Sequence, residues 1–306
     1  MEDSAPPPLV APATFRGARV PCQPAKVSWW PGRTMLAFLV VVSALRADDW
    51  APNITTTAGW NGNTTNADRA SDRIGTFHLG LELLSTRRYE AGRDDSFQLA
   101  GHLGGEWWTR FRGLGTLATG ARADWRHKFG VSAVAPILVI EAYVDAIAAK
   151  ESGRRGSASG VAISVRKRFD DLTRGTLAHE YSILNASHGV FDRTANETTL
   201  EVDRDLTDVS RLSFTARFRR GDVVSYASSP RPDLATLARR QVDLDTFGQT
   251  MTAYRIDATT WSARMAFLRA LSLQTAWVLA YEWRQTERGP LRFTNHVTST
   301  AWVHQF

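Results

Sequence analysis

Residues 210–219 read SRLSFTARFR, and Leu212, Phe214, Ala216 and Phe218 alternate with Arg211, Ser213, Thr215, Arg217 and Arg219. The same two-residue period returns in 271–284, where Leu273, Thr275, Trp277, Leu279, Tyr281 and Trp283 oppose Ser272, Gln274, Glu282 and Arg284. In 117–129, Leu117, Ala121, Ala123, Trp125 and Phe129 oppose Arg122, Asp124, Arg126 and Lys128. Strand side chains alternate between two faces, so strict dyads of this length predict β-structure. Twelve such segments are readable: 53–61, 75–88, 96–111, 116–129, 135–151, 159–169, 175–185, 196–204, 210–221, 251–267, 271–284 and 292–306.

Two properties of these segments point to a membrane. Each has nine residues or more, about what a tilted strand needs to cross a bilayer. Connections after odd-numbered segments average about twelve residues and those after even-numbered ones about five, the loop asymmetry of outer-membrane barrels. Lipid offers no hydrogen bonds to a backbone, so strands within it must close into a cylinder without edges. The expected fold is an all-β, closed antiparallel transmembrane barrel of about 12 strands, with 10 or 14 as alternatives. Both termini are expected on the short-turn, periplasmic side.

Composition modifies this picture at the N-terminal end. The run Met35–Leu45 is apolar, follows Lys26 and Arg33, and leads to small residues at Ala44 and Ala47. That is the layout of a secretory signal peptide, with its apolar core and cleavage site in 35–47. Residues 1–34, rich in Pro and Ala, are expected to be a disordered or mis-annotated leader, and 48–306 the barrel. Residues 1–47 hold five Lys/Arg and two acids, so without them the net charge falls from +6 to +3. With no Lys/Arg cluster, nucleic acid is not an expected partner. The single Cys, Cys22, lies in the leader.

The last strand ends in STAWVHQF, which puts Trp302, His304 and Phe306 on one face. In this it resembles bacterial outer-membrane β-barrel proteins of the porin-like kind, whose final strand ends in Phe with apolar or aromatic residues at alternate positions before it. His304 departs from that pattern. The resemblance implies recognition of this strand by the barrel assembly machinery, and outer-membrane lipid around the barrel.

If the apolar rows face lipid, the alternate rows line the interior. The expected pore-lining residues are Arg122, Asp124, Arg126, Lys128, Glu141, Asp145, Arg166, Arg168, Glu180, Glu201, Arg211, Arg217, Arg219, Arg264, Glu282 and Arg284, with Glu82, Glu106, Asp203, His78 and His102 in the same phase. Mixed charge of this kind suits a watered pore for small polar solutes or a set of cross-strand ion pairs filling a narrow barrel. Arg166, Arg168, Arg217 and Arg219 are expected to form a basic zone at the periplasmic ends. Aromatics near strand ends predict a membrane girdle of Trp125, Phe129, Phe169, Trp261, Phe267, Trp283, Trp302 and Phe306.

The longest connection, 222–250, carries Leu234, Leu237, Ala238, Val242 and Leu244 at helical spacing, with Asp233 placed to cap a short amphipathic helix. Such a segment folds into the mouth as a constriction or stands outside as a flap. His179 and Ser182 in HEYS lack an orienting acid by spacing, which leaves no organised nucleophile. Neither metal-ligand spacing nor any cofactor motif is present. The sequence predicts a porin-like channel without enzymatic activity, passing small polar or charged solutes by diffusion across a bacterial outer membrane. A closed structural or adhesin-type barrel and a barrel-embedded hydrolase are the alternatives.

Overall fold

The computed structural model of the protein describes residues 50–234, 237–243 and 246–306; the leader and the signal-peptide segment lie outside them. Thirteen strands follow in order: β1 (Ala51–Asn61), β2 (Thr76–Glu90), β3 (Asp95–Trp108), β4 (Thr116–Lys128), β5 (Ile137–Ala149), β6 (Gly156–Arg168), β7 (Thr173–Ala186), β8 (Arg193–Thr207), β9 (Ser210–Ala227), β10 (Ala238–Asp243), β11 (Met251–Ala270), β12 (Thr275–Arg288) and β13 (Leu291–Gln305). Each pairs antiparallel with its neighbour, β9 pairs directly with β11, and β13 returns to β1 from Asn53↔Gln305 to Asn61↔Val297. Twelve strands therefore close a ring, and β10 stands outside it on the free flank of β11.

The register assigns the two faces. Phe97 opposes Trp125, Trp125 opposes Ile140, and Phe214 opposes Met265. Their rows include Leu79, Leu99, Val144, Ile163, Leu177, Leu200 and Leu279, all exposed. An exposed apolar band runs through β2–β9, β11 and β12, while the seam strands β1 and β13 add Trp60 and Trp302 among Thr and His; such a band is the surface of a protein solvated by lipid. The opposite rows hold the charged and small residues and enclose the lumen.

Both ends of the ring lie on one rim, where the Phe306 N–H donates to the Pro52 carbonyl at 3.1 Å. This terminal rim carries the connections 91–94, 129–136, 169–172, 208–209 and 271–274; the other, the loop rim, carries 62–75, 109–115, 150–155, 187–192, 228–250 and 289–290. The asymmetry rests on 62–75 and 228–250, since the other loop-rim connections are short. At 169–172 the Asp170 carboxylate accepts from the N–H groups of Leu172 and Thr173 at 2.8 and 2.7 Å, closing the turn. The Leu172 bond foremost holds that carboxyl below its ordinary range.

Three elements depart from the sequence reading. Residues 271–274 form a turn, so β12 begins at Thr275, and Leu273 is almost fully exposed. Strand β9 runs past its expected end at 221 to Ala227, pairing beyond the ring with β11, which starts at Met251 as expected. The helix expected over 234–244 is absent from its described residues: Pro232–Leu234 is a single 3-10 turn, and Ala238–Asp243 pairs with Met251–Ile256 as β10. Backbone pairing with the projecting β11 overrides the helical spacing of the apolar residues there. Leu244 lies outside the described residues.

Candidate functional site

The lumen wall is built from the inward rows of neighbouring strands. Strand β4 contributes Arg122, Asp124, Arg126 and Lys128; β5 contributes Glu141 and Asp145; β6 contributes Arg166 and Arg168. Glu180 comes from β7 and Glu201 from β8. Arg211, Arg217 and Arg219 come from β9, Arg264 from β11, and Glu282 and Arg284 from β12. All sixteen lie in the phase opposite to the exposed apolar rows, with Arg168 at the terminal rim, donating to the Asp171 carbonyl at 2.8 Å.

These groups form two paired walls. On β4 and β5, Arg126 bonds Asp124 at 2.6 Å, and His102 of β3 stands 3.6 Å from Asp145. From β7 to β12 the pairs run as a ladder. Near the terminal rim Arg211 meets Asp205 at 2.6 Å, and Arg174 reaches Asp203 and Asp205 at 3.4 and 3.3 Å. Further up, Arg217 reaches past β11 to Glu282 at 3.4 Å and stands 3.8 Å from Glu197. Arg284 grips the same Glu282 with two bonds, at 2.7 and 2.9 Å. Arg284 points into the cylinder yet keeps 35% of its side chain accessible, so water-sized space borders it.

The expected basic zone at the terminal rim does not form. Arg166 and Arg168 precede the turn at 169–172, but β9 rises from the terminal rim, so Arg217 and Arg219 sit toward the loop rim. There Arg219 opposes Glu197 and donates to the Asp222 carbonyl at 2.9 Å. Three members of the ladder escaped the sequence reading. Arg174 and Asp205 each lay one residue outside an expected strand, and Glu197 shared the inward phase of Glu201 without being singled out.

The outer surface carries aromatics near both rims. Trp125, Phe129, Phe169, Phe267, Trp302 and Phe306 lie toward the terminal rim. Trp261 and Trp283 lie toward the loop rim, with Trp60 edge-on to Phe77 at 4.7 Å and Phe218 against Trp261 at 4.4 Å. His179 also faces outward and bonds Thr198 at 3.0 Å, whereas Ser182 shares the inward phase of Glu180. The two cannot act as base and nucleophile together.

The loop rim has a feature of its own. Beyond Gly221 and Thr259 the β9–β11 pair continues without β8 or β12 beside it, ending at Thr252↔Ala227. With β10 on its flank this three-stranded lid lies across the mouth. One face, Val224, Tyr226, Met251 and Ala253 with Phe247, packs on Trp108, Phe111, Leu114, Ile147, Leu184, Val190 and Phe191 from the opposite wall. The other face, Val223, Ala227, Tyr254 and Ile256, packs on Leu234, Leu291 and Phe293. An external flap would leave one face wet; here both are buried. Each large apolar side chain covered this way contributes up to about 1.5–3 kcal/mol.

Loop 62–75 crosses to meet the lid. It is fixed to β13 where Asn63 N–H donates to Asn295 Oδ1 at 3.1 Å and Asn295 Nδ2 returns a bond to the Asn63 carbonyl at 3.2 Å. Tyr226 N–H donates to the Thr65 carbonyl at 2.9 Å and Ser225 Oγ to that of Asn66 at 2.8 Å. Arg231, 4% exposed, forks onto Asp68 at 2.6 and 3.0 Å and onto Asp233 at 2.6 Å, while its N–H donates to Tyr254 Oη at 2.9 Å. The Asp233 bond leads the interactions that raise the Arg231 guanidinium above its ordinary range, and Arg231 in turn holds Asp233 below the usual carboxylate range.

No protein-family model matches the chain, and no curated protein is similar to it in sequence. Among solved structures, the COG4313 outer membrane channel from Pseudomonas putida F1 superposes with a TM-score of 0.55, at 10% identity, over 84% of this chain and 96% of that one. This is the fold of a bacterial outer-membrane β-barrel. The NanC porin, at a TM-score of 0.43 and 5% identity, and the KdgM porin in complex with disordered oligogalacturonate, at 0.42 and 9%, superpose more loosely. They span 82% and 83% of this chain, and 98% and 99% of their own.

Proposed function

We propose that the protein is an outer-membrane channel through which small polar or charged solutes diffuse passively, with its termini in the periplasm and its lid at the cell surface. One observation carries this reading: a charged wall bordering water-sized space lies inside a cylinder whose outer rows are mainly apolar. Paired guanidinium and carboxylate groups hold a polar path open to ions of either sign, and local imbalance sets which sign is preferred. His179 and Ser182 on opposite faces weigh against hydrolysis. The aromatic face of β13, through Trp302 and Phe306, is what the assembly machinery would read.

Current through the refolded barrel in a planar bilayer tests the proposal. Stepwise conductance with a measurable ion preference is expected; a barrel that never conducts, even with its lid released, sinks it. The lid favours a second reading, a closed barrel acting at the cell surface through its loops. That reading predicts no current under any condition.

A further inference from the structure

We propose that the β9–β11 lid is a gate, hinged at Gly221 and Thr259 and held shut by the clasp of Arg231 on loop 62–75. The inference rests on the channel reading for its consequence, but the closed and open states are defined by contacts alone. Its first support is how the lid is attached. Pairing of β9 with β8 ends at Ala195↔Gly221, and pairing of β11 with β12 ends at Thr259↔Glu287. Both flanks are therefore released at one level, and above it only two backbones join the lid to the wall. A rigid three-stranded unit on two adjacent backbones can tilt as a body without breaking a ladder bond of the cylinder.

The second support is the hinge residue. Gly221 has φ +155°, and a Cβ there would run into the Thr194 carbonyl and Ala195. Glycine is what lets β9 leave the wall while pressed against β8. The third support is the character of what holds the lid down. Apart from the apolar faces, its ties to the rim loops are polar: Arg231 to Asp68, Ser228 Oγ to Asp72 Oδ1 at 2.5 Å, the Tyr226 and Ser225 bonds to Thr65 and Asn66, and Arg255 to the Gly189 carbonyl at 2.8 Å. Water replaces such bonds when the lid lifts, so weakening them shifts the balance between states without unfolding the barrel.

Cysteine labelling reads the gate without reading current. In a C22S background, Ala253→Cys places a thiol at a fully buried position of the lid. A water-soluble maleimide should modify it slowly, and at least about tenfold faster once Arg231→Ala removes the clasp. Equal rates in the two proteins would overturn the gate. Val224→Cys serves if Ala253→Cys fails to give barrel-type circular dichroism. The pair D72C/S228C, oxidised to a disulfide, should pass less current than after reduction; in a protein that conducts, unchanged current with the bond formed also overturns the gate. A labelling contrast with no current in any variant would leave the gate standing and remove the channel.

Discussion

At the scale of single residues, charge inside the barrel is arranged so that each removal has a sign. Arg217 lies against both Glu282 and Glu197, so Arg217→Ser leaves carboxylates with less compensation near the loop rim. Reversal potentials under a salt gradient should move toward cation preference, and an unchanged value would place these groups off the ion path. In the clasp, Arg231 holds the Asp233 carboxyl low, so that contribution is complete above the ordinary carboxylate range and disappears only as pH falls through the lowered value. The inward charges were legible because they alternate with Leu, Phe and Trp. Arg174 and Asp205 were not, because each sits where a strand end had to be guessed from turn residues.

At the scale of elements, the ring strands were readable because lipid on one side and water on the other impose a period of two. The lid was not. Residues 223–226 read VVSY, with apolar side chains buried on both faces, and such a segment loses the alternation that marks a strand. Around β10, Leu237, Ala238 and Val242 mimic a helical stripe, and pairing of Ala238–Asp243 with β11 makes that segment extended. Gly221→Ala combines a disfavoured φ with a clash against β8, so it should cost roughly 1–3 kcal/mol. Urea unfolding of the barrel in detergent measures that loss. A variant as stable as the parent would mean that β9 has another way past Ala195.

At the scale of the whole molecule, one surface argument joins fold and function. Exposed apolar rows run through β2–β9, β11 and β12, so lipid must cover them, and the charged rows are then committed to the interior. Phe214 lies on that outer band, exposed and flanked by Val202 and Met265. Phe214→Arg should destabilise the bilayer-embedded barrel by about 2–4 kcal/mol if it lies near the midplane, read as a shifted denaturant midpoint. The same change at inward Ser213 should be far milder. The fold likeness to an outer membrane channel adds architecture at 10% identity, so the case for transport stands on the lumen itself.

The most direct test is a spin-label scan of residues 211–218 in lipid vesicles, with collisions measured against oxygen and a water-soluble nickel chelate. Labels at 212, 214, 216 and 218 should meet oxygen and those at 211, 213, 215 and 217 the chelate, alternating without a break. A scan with no period, or with Leu212, Phe214 and Phe218 shielded from lipid, would contradict the account.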